Sequence, residues 1–269
     1  MDEILSSLRP GMLVLDLGSS KGSFARDATL ATTVRVDREV PSELAGQGLI
    51  IEADAAALPF ADGCFAAVIM NHSLEHFDDL AGALREVGRI VRADGSVFVA
   101  VPDASTFTDR LYRWLARGGG HVNAFVSARE TAAEIERAIG LPLVATKLLY
   151  SSLSFLNRRN APRPLPRRLL ILGAGYEWSL FLYIWLSRKI DRWLNTRTAI
   201  YGWAFYFGRF ESPVDTTPWP NMCIRCGRGA SASFLASQSL ISRRWWGPNT
   251  FRCAHCGATN PFVDDARGG

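Results

Sequence analysis

The first 150 residues alternate short β-branched or apolar runs with stretches of helical periodicity, and this alternation is the strongest constraint on the fold. Strands separated by helical patterns need crossover connections rather than hairpins, which predicts a parallel sheet covered by helices. Met12–Asp16, Thr33–Asp37, Leu49–Ala53, Ala66–Asn71 and Ser96–Val101 read as five strands. Between the last two, Asp78 or Asp79 is placed to cap a helix with Leu80, Leu84, Val87 and Val91 on one face, and Gly95 falls just beyond its end. Ser127 and Glu130 form a capping-box pair opening a helix with Ile135 and Ile139 inward, ahead of a sixth strand at Leu143–Leu149. The fold class is α/β.

A chain of 269 residues suits one catalytic domain with a small accessory module, and 48% hydrophobic against 21% charged content excludes a disordered chain. The opening Met-Asp-Glu-Ile-Leu is acidic, unlike a secretory leader, so a cytoplasmic location is expected. Charge divides unevenly: residues 1–150 carry −6, whereas residues 151–269 carry +10 and seven of the eight tryptophans. A basic, aromatic half points to an anionic partner, namely a membrane surface, a lipid phosphate or a nucleic acid; a solvated basic surface is the alternative.

Beyond residue 150 the pattern changes. Asn157 to Arg168 is a proline-broken basic stretch, and Leu169–Leu186 is an eighteen-residue apolar span whose only charge is Glu177. Ile200–Phe207 reads as a strand, 213–221 as a linker, 222–263 as a cysteine module and 264–269 as a tail.

Directly after the first predicted strand comes Asp16-Leu-Gly18-Ser19-Ser20-Lys-Gly22. Glycine there lets backbone and ligand approach closely, and a strand-to-helix turn at the carboxyl edge of such a sheet is where these folds bind ligands. The spacing of Gly18 and Gly22 does not fit a nicotinamide fingerprint. The run resembles the first motif of class I S-adenosylmethionine-dependent methyltransferases, D-x-G-x-G-x-G, with Ser20 replacing the middle glycine. Leu58-Pro-Phe60-Ala-Asp62-Gly-Cys-Phe65 resembles that family's L-P-F-x-D-x-S-F-D segment, departing at Cys64 and Ala66, and Asn71-His72-Ser-Leu-Glu75-His76 resembles the stretch that usually ends Leu-Glu-His. The resemblance, to the ubiquinone-type branch, implies a Rossmann-like seven-stranded sheet over 1–212 and S-adenosylmethionine as cofactor. It implies that Asp16 orients the cofactor's amino group through a bridging contact and that Gly18, with Ser19, Ser20 and Gly22, lies against its methionine part. Asp37 would accept from the ribose hydroxyls, where a carboxylate makes the stronger bonds. Asp54 and Ala55 would meet the adenine, and Asn71 completes the set.

Methyl transfer is an in-line displacement, so alignment of nucleophile and methyl carries most of the catalysis, and a base removes the acceptor's proton where one is needed. His72, His76 and His121 are the candidates, with His121 preferred and a purely structural His76 the competing reading. His121 lies in Gly120-His-Val-Asn-Ala-Phe125, which resembles the family's G-H-x-x-x-F element.

The same resemblance makes Leu143–Leu149 and Ile200–Phe207 the last two strands, the final one antiparallel, and 151–197 an insertion between them. Crossing a bilayer once would separate these two strands, so a transmembrane span is excluded. The insert is then a helical lid over the substrate or an interfacial element touching the membrane through 155–194, where Trp178, Trp185, Trp193 and the flanking arginines would be favourable.

Cys223-x-x-Cys226 and Cys253-x-x-Cys256 supply four thiolates for structural tetrahedral zinc, each pair followed by a glycine; disulfides are the competing reading. This is expected to be a C-terminal zinc ribbon with Arg243-Arg244-Trp245-Trp246 at a basic, aromatic tip. The leading functional expectation is O-methylation of a small molecule or lipid-linked saccharide, by a cytoplasmic enzyme or one peripheral at the inner membrane face. The alternatives are an RNA methyltransferase holding RNA through the ribbon and basic half, and a partner protein without turnover.

Overall fold

The computed structural model describes residues 1–19, 22–44, 48–107, 109–110, 113, 121–160, 175–218 and 220–264. Seven strands form the main sheet: β1 (Leu13–Leu17), β2 (Thr32–Asp37), β3 (Leu49–Glu52), β4 (Phe65–Asn71), β5 (Val91–Pro102), β6 (Leu143–Tyr150) and β7 (Ile200–Gly208). Their order is β3-β2-β1-β4-β5-β7-β6. Pairing is parallel from β3 through β5, and β7 runs antiparallel to β5, as the class I methyltransferase pattern requires. Ala67, Val68, Ile69 and Met70 of β4 are all fully buried. That unbroken apolar run is the mark of a central parallel strand covered on both faces.

Helix α1 (Leu80–Ile90) starts as expected, with the Asp79 carboxylate accepting from Gly82 N at 2.8 Å. It stops one residue early. Val91 was expected on the helix face but takes extended backbone and opens β5. Gly95 accordingly lies within the strand rather than behind the helix, where an added Cβ would stand 2.9 Å from the Ala66 carbonyl. The register jumps there, from Phe65 opposite Val91 to Ala67 opposite Ser96. Helix α2 (Ala128–Ile139) is capped by Ser127, which accepts from Glu130 N at 3.3 Å, and ends on Gly140 at φ +71°.

The chain forms two compact units. The first comprises Met1–Ser105, Gly120–Lys147 and Gly202–Thr216; the second comprises Thr106–Gly119, Leu148–Tyr201 and Thr217–Gly269. In the second unit, helix α3 (Glu177–Leu194) and the cysteine module share one core: Leu153, Leu156, Leu180 and Ile184 pack with Ile224 from between the first cysteine pair. The module's strands are β8 (Asn221–Met222), β9 (Gly229–Ala230), β10 (Ile241–Ser242), β11 (Thr250–Arg252) and β12 (Thr259–Pro261), with a short helix α4 (Ala232–Ser237). Its inner face is Leu235, Phe251 and Phe262.

The position of Glu177 differs from the sequence expectation. It opens α3 instead of interrupting an apolar span, and residues 169–174 of that span lie outside the described residues. A carboxylate is favourable at a helix start, where backbone N–H groups point at it. No helix among the described residues is long and apolar enough to cross a membrane. Cys64 is half-buried.

Candidate functional site

The carboxyl ends of β1, β2 and β3 face one cavity of about 310 Å³, lined in part by Gly18, Asp37, Asp54 and Ala55. Strand β1 is buried up to Leu17, after which the chain must turn sharply. Gly18 makes that turn at φ +73°, and its N–H donates to the Val36 carbonyl at 2.8 Å. A Cβ on Gly18 would stand 2.6 Å from Ser73 Cβ, so only glycine leaves this wall of the cavity intact.

Asp16 is buried inside β1 and does not line the cavity. Its two carboxylate oxygens accept from Ser23 N at 2.8 Å and Ser23 Oγ at 2.7 Å, closing the turn that Gly18 begins. The Ser19 carbonyl accepts from Gly22 N inside the same turn, and Ser20 lies outside the described residues. Asn71 ends β4 opposite Ala100 and is not among the lining residues.

Arg38, Ser73, Phe77 and Asp78 also line the cavity, and the sequence reading assigned none of them a place in the site. Arg38 pairs with Asp78 at the exposed rim, across a gap of 40 positions in the chain. Adjacency to Asp37 was the only sequence signal for Arg38, while Ser73 is identified by its packing against Gly18 alone. Behind the loop that runs from Leu58 to Asp62, Arg89 donates to the carbonyls of Leu58 at 3.0 Å and Phe60 at 2.7 Å. It also holds Asp62 at 2.7 Å and Glu86 at 2.8 Å, and Glu86 in turn accepts from Leu58 N at 2.8 Å. The Leu-Pro-Phe-Ala-Asp run is thus a loop wrapped on one guanidinium.

The three histidines converge. His76 ends a 3-10 turn (Leu74–His76) and lines the cavity, and its ring meets that of His121 edge to face with centroids 4.8 Å apart. The His121 segment is sewn to this turn by backbone and side chain. Val122 N and Asn123 N donate to the Glu75 carbonyl at 2.8 and 3.1 Å, and Asn123 Nδ2 donates to Leu74 O at 2.9 Å and Phe77 O at 2.7 Å. His72 adopts φ +56° and lies with Nδ1 3.8 Å from Glu75 Oε1. Burial, with some repulsion from His121 and His76, pushes its pKa down to about 4, so its imidazole is neutral at neutral pH.

Residues 15–99 match the model of the methyltransferase domain family. This part of the chain is a class I methyltransferase domain. The chain is 30% identical over 138 residues to the malonyl-[acyl-carrier protein] O-methyltransferase of Methylococcus capsulatus, covering 46% of this chain and 50% of that protein. It is 33% identical over 94 residues to the demethylmenaquinone methyltransferase of a Roseiflexus species, covering 31% of this chain and 40% of the relative. The chain therefore spans half or less of these relatives. Among solved structures, a chain from the complex between the Haloferax volcanii Trm112 methyltransferase activator and a methyltransferase superposes with a TM-score of 0.50 at 15% identity, covering 77% of this chain and 86% of that one. At that identity the likeness speaks for the fold.

The methyltransferase domain match ends well before the cysteine module, whose geometry stands by itself. Cys223 Sγ and Cys256 Sγ are 3.5 Å apart, and Cys226 Sγ and Cys253 Sγ 3.7 Å. These are not disulfides, so that competing reading is set aside. Four thiolates around zinc at about 2.3 Å stand roughly 3.8 Å apart, which these spacings match. Each pair sits on the same turn: Gly227 N donates to the Cys223 carbonyl at 3.0 Å, and Gly257 N to the Cys253 carbonyl at 2.9 Å. Both glycines take positive φ, +75° and +70°. At the far end of the module Trp245 is fully exposed and Trp246 89% exposed.

Proposed function

We propose that this chain is an S-adenosylmethionine-dependent methyltransferase that methylates an oxygen of a small molecule or a lipid-linked saccharide. The observation that carries the reading is the convergence of Gly18, Asp37, Asp54 and Ala55 on one cavity with His76 at its edge. Bound there, the cofactor supplies an electrophilic methyl group on a sulfonium. The protein's task is then mainly to hold donor and acceptor in line. Asp37 offers a carboxylate to the ribose hydroxyls, and the Gly18 turn lets the cofactor's methionine part lie against backbone. Asp16 acts as a positioning residue by closing that turn through Ser23. His121 and His76 are the groups available to receive the acceptor's proton, whereas burial of His72 disfavours the protonated imidazole. The four cysteines hold a structural zinc ion with no open position for chemistry.

The lipid-linked acceptor is supported by α3. Trp178, Leu182, Leu186 and Ile190 recur every fourth residue on it and are all exposed, with Trp193 84% exposed at its end. The carboxylates of this helix are engaged internally, Glu177 with Arg225 and Asp191 with Thr196, Thr198 and Ala199. Lys189 and Arg192 remain exposed beside the stripe, an apolar face with cationic flanks of the kind that settles on anionic lipid. A cytoplasmic enzyme working at the inner face of the membrane follows from this reading.

A test is transfer of labelled methyl from S-adenosylmethionine to extracted lipid-linked saccharides, beside RNA as acceptor. Label in the saccharide fraction is expected. Label in RNA alone would favour the second reading, in which the exposed Trp245 and Trp246 with Arg243 and Arg244 stack on and neutralise a nucleic acid.

A further inference from the structure

Glu75, His76 and His121 bring one carboxylate and two imidazoles to within 4.8 Å of one another. We propose that they form a second metal site, separate from the cysteines, for a divalent first-row transition-metal ion. The inference deepens the proposed function, since His76 also lines the cofactor cavity.

Two imidazoles and one carboxylate are a donor set such ions accept while leaving positions open for water or substrate oxygen. The donors are held from both sides by the backbone. The Glu75 carbonyl takes two N–H groups from the His121 segment, and Asn123 spans the turn to Leu74 and Phe77. Donors on one ion at about 2.1 Å lie roughly 3 Å apart, so small imidazole rotations close the remaining gap. Glu75 is 1% exposed, which makes its carboxylate a strong partner for a cation. His76 is exposed, which leaves the ion open toward solvent and the cavity. An ion here would bind the acceptor through its oxygens beside the cofactor. His76 and His121 would then serve as ligands, with proton loss from the acceptor assisted by the ion's charge.

The test is Mn²⁺ binding followed by electron paramagnetic resonance on the full chain, loaded with a single equivalent of zinc, which the four thiolates take first, and then desalted. Manganese suits oxygen and nitrogen donors, so the thiolates do not compete for it. One Mn²⁺ per chain is expected, with affinity falling at least tenfold in His121→Ala and in His76→Ala. His121→Ala, which leaves every lining residue of the cavity in place, should still bind S-adenosylhomocysteine in calorimetry, which shows that the cavity has stayed folded. No Mn²⁺ bound by the wild type, or equal binding by wild type and both variants, overturns the proposal. A wild type that binds Mn²⁺ but no S-adenosylhomocysteine would instead remove the proposed function and leave the metal site standing.

Discussion

The Glu177 carboxylate receives two hydrogen bonds from the Arg225 guanidinium, at 2.6 and 2.8 Å, across 48 positions of the chain. One partner opens the insert's helix; the other sits between Cys223 and Cys226 and also donates to the Cys256 carbonyl at 3.1 Å. Asn157 Nδ2 reinforces the join by donating to the Ile224 carbonyl at 3.0 Å. The cysteine module is thus bonded to the insert through its first knuckle.

Breaking this pair should weaken the second unit in a pH-dependent way. Hydrogen bonds from Arg225 hold Glu177 below its ordinary pKa despite some burial. A depressed carboxylate contributes stability above its unfolded pKa, near 4.5, and loses it as pH falls through the folded value. Both side chains are partly exposed, so Glu177→Gln should cost about 1 kcal/mol at neutral pH. The melting temperatures of wild type and variant should converge as the pH falls from 4.5 through the depressed folded value. Thermal denaturation at several pH values checks this, and a constant difference would rule out the assignment.

Removing the zinc ion proposed for the four cysteines should unfold more than the cysteine module. Ile224 belongs to the core that holds Leu180 and Ile184 of α3, so loss of the knuckle exposes that core. Chelation, or Cys253→Ser, is expected to reduce helix content and protection from proteolysis across 175–194. The cavity residues lie in the first unit, so S-adenosylhomocysteine binding should persist.

Gly18→Ala should abolish cofactor binding while leaving a folded sheet. The residue has φ +73°, and a methyl group there overlaps Ser73 at 2.6 Å. The left-handed conformation alone costs about 1–2 kcal/mol for an L-residue, and the overlap adds to it. A loss of affinity of at least tenfold by calorimetry is the expected outcome.

Arg89→Lys tests the loop clamp. Lysine keeps the charge but loses the planar fork that reaches Leu58, Phe60, Asp62 and Glu86 together. Cofactor affinity should fall several-fold, with faster amide exchange over 58–62. Unchanged exchange would show that the loop holds itself.

Replacing Trp178 and Leu186 by serine should leave folding unchanged, because both project from the exposed face of α3. Co-sedimentation with vesicles containing anionic lipid is expected for the wild type and weakened in the double variant. Equal sedimentation of the two would remove the lipid-surface reading.

Much of the first unit was readable from residue order, because local chemistry dictates it. Gly18 had to turn the chain at the end of a buried strand, and Asp79 and Ser127 mark helix starts through bonds to neighbouring backbone. The two Cys-x-x-Cys pairs likewise foretold four sulfurs around one point. Val91 was misread because its neighbours in sequence suit a helix while its pairing with Phe65 favours a strand. Tertiary structure alone decided the rest. The meeting of His121 with His76, Ser73 with Gly18, Arg38 with Asp78 and Arg225 with Glu177 depends on contacts between distant residues, whose chain separation periodicity does not encode. Local pattern specifies which elements form. Side-chain packing and directional hydrogen bonds then select which of their residues share a site.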